Sequence, residues 1–187
     1  MSSTIGVQNI AHTNGTVAAT VSSGGVVTFT SDPFNNVIET FYYDSTDRVH
    51  TDGVVLNQAW TRQTANQTAN KNSGMSASSG IFTFPSTGVW RTELDAQFIT
   101  SQSSTYAGFS LYFTANNSSY TQINARYNGN TAGAMYMSVN MPYTFNITDT
   151  SNQKIRFNVS AQHQITIRGG STHAGTKLHF IKLCPST

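Results

Sequence analysis

The side chains that could do acid–base, metal or nucleophilic chemistry in this 187-residue chain are few: eight carboxylates, five histidines and one cysteine. The carboxylates are Asp32, Glu39, Asp44, Asp47, Asp52, Glu93, Asp95 and Asp149. Glu93 and Asp95 lie two residues apart in an alternating run, which puts both on one face of a strand. Two carboxyls flanking a bond are what glycoside hydrolysis requires. Catalytic acids, however, sit in clefts where their surroundings shift their pKa values, and an open strand face carries such a pair as solvated charge. The histidines are His12, His50, His163, His173 and His179. His173 and His179 could lie near each other, and a trimer would set three copies of any histidine around its axis. Neither H-x-H nor H-x3-H spacing occurs, so no metal ligand is assigned. Cys184 has no second cysteine to pair with and reads as a free thiol. The chain has no G-x-S-x-G elbow, P-loop, H-E-x-x-H or C-x-x-C. Residues 22–25 (SSGG) form a turn and not a phosphate cradle, because no helix follows them. The expectation is a protein that is not an enzyme, with no catalytic residue and no cofactor.

The elements that must hold these residues are strands. Trp90, Thr92, Leu94, Ala96 and Phe98 point one way, while Arg91, Glu93, Asp95 and Gln97 point the other, as in a half-buried antiparallel strand. The same alternation recurs at Phe109/Leu111/Phe113, Thr121/Ile123/Ala125/Tyr127, Met135/Met137/Val139, Tyr143/Phe145/Ile147, Ile155/Phe157/Val159, Ile165/Ile167 and Leu178/Phe180. Turn formers separate these runs, among them "NMP" (140–142) and Asn128-Gly129, which reads as a hairpin turn. Residues 58–72 (QAWTRQTANQTANKN) have too few apolar positions for a buried helical stripe and read as a long polar loop. Many short strands with Gly/Asn turns predict an all-β, antiparallel jelly-roll sandwich.

Composition narrows the function classes. Charged residues are only 10% of the chain, against roughly 25% in an ordinary soluble domain. The aromatic mass, 11 Phe and 8 Tyr, argues for a folded protein with a neutral polar surface. The basic residues are scattered, so nucleic-acid binding is not expected. No apolar run reaches the ~20 residues that span a bilayer, so no membrane insertion is expected. The first residues, MSSTIGVQNIAHTNG, have neither a basic segment nor an apolar core, so no signal peptide is read there. The sequons at Asn66, Asn117, Asn146 and Asn158 are read as chance occurrences in an Asn/Ser/Thr-rich chain. A neutral surface without an export signal suits a virion component released by lysis.

Residues 1–32 differ from the rest. They carry short Val/Thr-rich strands but no aromatic before Phe29, too little to bury unaided. They are read as an extended N-terminal β arm that docks on a partner surface through Ile5, Val7, Ile10, Val17, Val21, Val26, Val27 and Phe29. Residues 33–187 form the head.

The stretch GIFTFPSTGVW (80–90) carries a family signal. A Gly, an aromatic-rich strand, a Pro-containing corner, then Gly, any residue and an aromatic resemble the signature of the complement first-component globular head. That family shares a trimeric jelly roll with the tumour necrosis factor superfamily. Gly80, Phe82, Phe84, Pro85, Gly88 and Trp90 match in type and order, whereas Thr92 and Leu94 stand where the family prefers aromatics. GTKLHFIKL (175–183) resembles the closing strand of that fold. The resemblance implies a trimeric jelly roll. No acidic cluster matches the family's calcium sites. The arm plus head also resembles decoration or fibre-tip proteins of tailed bacteriophages.

Several strands are apolar on both faces: FSLYF (109–113), MYM (135–137) and LHFIKL (178–183). One face fills the core, and the other needs a cover. Another copy of the chain supplies it in a homotrimer, with Tyr112, Tyr136, Phe180 and Ile181 as interface residues. The expected function is that of a structural protein on the virion surface, a capsid decoration or cement protein. Its arm docks on the major capsid protein and stabilises the shell. The alternative is the receptor-binding tip of a phage tail fibre, with a host surface glycan or receptor as partner. A polysaccharide hydrolase and a secreted signalling trimer are less favoured, the first for want of a motif and the second for want of a signal peptide.

Overall fold

The computed structural model describes residues 9–11, 17–29, 37–57, 60–63, 74–170 and 175–186. All regular structure among them is β-strand. The chain divides into two compact units, Met1–Asn35 and Asn36–Thr187.

In the first unit, β1 (Asn9–Ala11), β2 (Val17–Val21) and β3 (Val27–Phe29) pair antiparallel in that order. The described residues of this unit therefore form a small meander, not one extended strand. The SSGG turn accounts for this: the Ser22 carbonyl accepts from the Gly25 amide at 2.9 Å, and its hydroxyl oxygen accepts from the Val26 amide at 3.1 Å. That closure folds β3 back on β2.

The second unit is a sandwich of two antiparallel sheets. One runs β11 (Thr121–Asn130), β10 (Ser104–Thr114), β13 (Lys154–Ala161), β8 (Ile81–Thr83), β7 (Ser76–Ser78). The other is built on β9 (Gly88–Thr100), flanked on one side by β12 (Met135–Ile147) and on the other by β15 (Lys177–Cys184) and β14 (Ile165–Ile167). Next to β15 comes β4 (Ile38–Tyr43), and next to β14 comes β5 (Arg48–His50). Beyond β4 lies β6 (Trp60–Arg62).

Core side chains come from alternate positions of both sheets. Trp90, Leu94, Ala96 and Phe98 of β9 face Phe109 and Leu111 of β10 and Phe157 of β13 across the sandwich, all fully buried. Phe82 sits at the centre of an aromatic cluster, with ring centroids 5.3–6.5 Å from Phe41, Trp60, Phe157 and Phe180. The pairs with Phe41, Trp60 and Phe157 are edge to face, a geometry that contributes about 0.5–1.5 kcal/mol per pair beyond area burial.

Three local expectations are corrected. Asn128-Gly129 is not a turn: β11 runs through it, opposite a slip in the β10 register, and the chain turns at residues 131–134. The NMP sequence does not end a strand either. Pro142 lies within β12, which among the described residues forms a ladder with β9 alone, and an edge strand is where a residue without an amide hydrogen is tolerated. Within the expected polar loop, Trp60–Arg62 is a strand. It is held by burial of Trp60 and by Arg62, which pairs with the buried Glu39 carboxylate at 3.2 Å. Residues 64–72 of that stretch lie outside the described residues.

Candidate functional surfaces

The corner that carried the family signal is now explained. Residues 85–87 take the chain from β8 in one sheet to β9 in the other, and Phe82, Phe84 and Trp90 are all buried on the core side. The Trp90 indole donates to the Ser86 carbonyl at 3.1 Å. Gly88 has φ 149°, and a Cβ there would lie 2.5 Å from the Cε of Lys182 and 2.8 Å from the carbonyl oxygen of Cys184. Lys182, though charged, is 5% exposed and donates to the Ser86 hydroxyl at 3.0 Å, so the space beside Gly88 holds its stem.

The carboxylate pair sits on the outer face of the β9 sheet. In register, Asp95 lies between Asn140 and Lys177, and Glu93 lies between Pro142 and His179. Glu93 accepts from the Asn140 amide at 2.8 Å and from Arg91 at 3.0 Å. These contacts, the first being the larger, hold its carboxyl below the usual carboxylate range. A carboxyl held ionised is a poor proton donor for glycoside cleavage. His179 shares a hydrogen bond of 3.0 Å with the Thr40 hydroxyl. Burial pushes its pKa down, with Glu93 and Asp95 opposing that shift and Lys177 adding to it. His50 is buried against the Tyr43 hydroxyl at 2.5 Å, and its pKa too is lowered, chiefly by burial. His12 and His173 lie outside the described residues, among which no group of three His, Cys, Asp or Glu is placed to hold a metal. Cys184 is exposed and free.

The residues expected at a subunit interface separate into two kinds. Phe180 and Ile181 do point opposite ways, but it is Phe180 that fills the core, fully buried against Phe41, Phe82 and Phe84. It has no surface to give a second copy. Ile181 lies on the outer face with Ile99 and Val89, all half-buried. Tyr136, in register with Ile99, is 72% exposed on the same face, and Leu183 is 49% exposed. Tyr112 lies on the outer face of the other sheet, where Arg156 and Gln122 of the same chain flank it. In the N-terminal unit, Val26 and Val27 are exposed, Val17 and Val21 are half-buried, and Ile10 and Phe29 are strand positions. Ile5 and Val7 lie outside the described residues.

The outer face of the five-stranded sheet carries an arrangement that was not expected from the sequence. The guanidinium carbon of Arg156 lies 4.2 Å from the Tyr120 ring centroid and 5.4 Å from that of Tyr112. The signal was present in KIRFNV (154–159). Where Ile155, Phe157 and Val159 face the core, Lys154 and Arg156 must face outward. At one end of the sandwich, Ser103, Ser104, Thr105, Asn130, Thr131, Gln162 and His163 line an open polar cleft of about 380 Å³. Its Asn130 and Gln162 amides are engaged with Thr100, Ser104 and Thr105.

Two sheets of this connectivity, joined by a buried aromatic corner, define a jelly roll of the tumour necrosis factor type. Solved structures agree on the fold. Eiger TNF from S. frugiperda superposes with a TM-score of 0.65 at 11% identity, over 81% of this chain and 95% of that one. Murine APRIL superposes with a TM-score of 0.54 at 16% identity (pH 8.0), over 79% of this chain and 99% of that one. No protein-family model matches the sequence, and no curated protein matches it.

Proposed function

We propose that this chain is a non-enzymatic structural protein of the virion surface, a homotrimeric head whose N-terminal unit docks on the major capsid protein and stabilises the shell. The observation that carries the reading is the outer face of the β9 sheet. Val89, Ile99, Ile181, Tyr136 and Leu183 lie opposite an already filled core. Threefold self-association would cover these side chains, which flank the charged middle of β9, without any further element. Attachment falls to the N-terminal unit, whose three short strands present Val26 and Val27 to solvent at 63% and 47% exposure. A sheet this small needs a packed face for stability, and pairing with the edge of a capsid subunit would supply one. Three such units on one trimer would bind with avidity.

The test is deletion of residues 2–30. The remaining head should stay folded and trimeric but fail to bind undecorated capsids, and those capsids should burst at lower temperature than decorated ones. Normal capsid binding by the shortened chain would sink the attachment role. A second reading, the receptor-binding tip of a tail fibre, draws on the exposed Tyr106 and Tyr127, whose rings pair edge to face at 5.9 Å. Detection of the protein on tails alone would favour it.

A further inference from the structure

Arg156 differs from every other described arginine. Arg48, Arg62, Arg91 and Arg168 each meet a carboxylate. Arg126 donates to the side chain of Asn124 and to the carbonyl of Ala125. Arg156 has neither kind of partner among the described residues, and its Nε is shut off from solvent with no acceptor. Two tyrosine rings hold it instead. Such a clamp fixes the direction of the guanidinium and leaves its two terminal nitrogens without a hydrogen-bond partner among the described residues, which is the state of a group awaiting an oxyanion.

The neighbours define the ligand. Lys154 lies two residues along the same face, in register with Thr83 and Thr114. No strand of this sheet carries a carboxylate. The Gln122 amide accepts from Tyr112 at 3.2 Å through its oxygen and keeps its nitrogen as a donor, while the Asn158 amide is engaged with the Gly53 carbonyl at 2.9 Å and the Tyr120 hydroxyl is shut off from solvent. One clamped cation with a single lysine beside it suits a singly charged ligand better than a polyanion. Hydroxyls, amides and ring faces match the hydroxyls and C–H faces of a sugar.

We propose that the outer face of the five-stranded sheet around Arg156 binds a saccharide bearing one carboxylate, which Arg156 takes through its guanidinium fork. Tyr112 and Gln122 hold the ring, and Tyr120 backs the guanidinium. The site lies within one head and depends on neither the trimer nor the capsid attachment, so it stands or falls separately from them.

The test is calorimetric titration of the full chain with the methyl glycosides of N-acetylneuraminic acid and glucuronic acid, with methyl glucoside, and with sodium sulfate. At least one acidic glycoside should bind at least about tenfold more tightly than methyl glucoside or sulfate. Arg156→Gln should weaken that binding about tenfold or more, the factor expected for a lost charge-assisted hydrogen bond. Arg156→Lys should not restore it, because a point charge lacks the fork. Hydrogen exchange on the unsubstituted protein should show ligand protection in residues 110–122 and 154–158, and this readout decides the matter if the variants fail to fold. No acidic glycoside binding at about 10 mM, equal binding of the neutral sugar or of sulfate, an unaffected Arg156→Gln, or protection confined to other strands would each overturn the proposal.

Discussion

The Trp90 indole nitrogen and the Ser86 carbonyl oxygen are 3.1 Å apart, so the first inward side chain of β9 ties down the corner that precedes it. Trp90 is fully buried and packs on Phe84 with ring centroids 5.4 Å apart. Replacing it with Phe removes the hydrogen bond and leaves a void, which should cost about 1–3 kcal/mol in urea unfolding. Replacement with Ala should cost about 3–5 kcal/mol. A change under about 0.5 kcal/mol for Trp90→Phe, the range of ordinary surface substitutions, would show that the corner does not depend on the indole.

Two positions further along the same face, Thr92 is fully buried and its hydroxyl has no partner among the described residues. Valine has the same shape without the stranded polar group. Thr92→Val should therefore raise the unfolding free energy by about 1 kcal/mol, the cost commonly measured for a buried unpaired hydroxyl. A destabilised variant would mean that the hydroxyl is satisfied in solution.

Much of the fold was legible because β9 alternates without a fault. Its period placed Trp90, Leu94 and Phe98 inside and Glu93 and Asp95 outside, and the structure agrees at every one of these positions. Errors arose where a local signal was outweighed by a distant partner. Asn128-Gly129 favours a tight turn, but β10 offers a long ladder that carries β11 past it. Pro142 reads as a break until β12 is known to be an edge. Phe180 and Ile181 both read as interface residues because two adjacent apolar residues do not reveal which of them faces in, and the buried Lys182 on the face of Phe180 hides the inward pattern. The outward face of Arg156 was legible in KIRFNV, but its clamp was not, since the pairing of β10 with β13 sets Tyr112 beside it and Tyr120 reaches it from the residues just before β11.

Acid should weaken the fold in two windows. His50 and His179 have folded pKa values below the usual 6.5, mainly through burial, so the unfolded chain binds their protons first as pH falls. Their contribution is complete above about 6.5 and is lost as pH drops toward their lower folded values. Asp44, held down first by Arg48, and Glu93, held down first by Asn140, add a second loss as pH falls below the ordinary carboxylate range. The urea midpoint should thus be lower at pH 5.5 than at pH 7.5, and His50→Gln should reduce that difference. A midpoint that is flat across this interval would contradict the assignment of both histidines.

Threefold association through the outer face of the β9 sheet is tested most directly by sedimentation equilibrium of the full chain at micromolar concentration. The account predicts a single species of three times the 20.3 kDa chain mass, shifted toward monomer by Ile181→Asp, since that side chain lies on the outer face and not in the core. A species of one chain mass for the unsubstituted protein would contradict it.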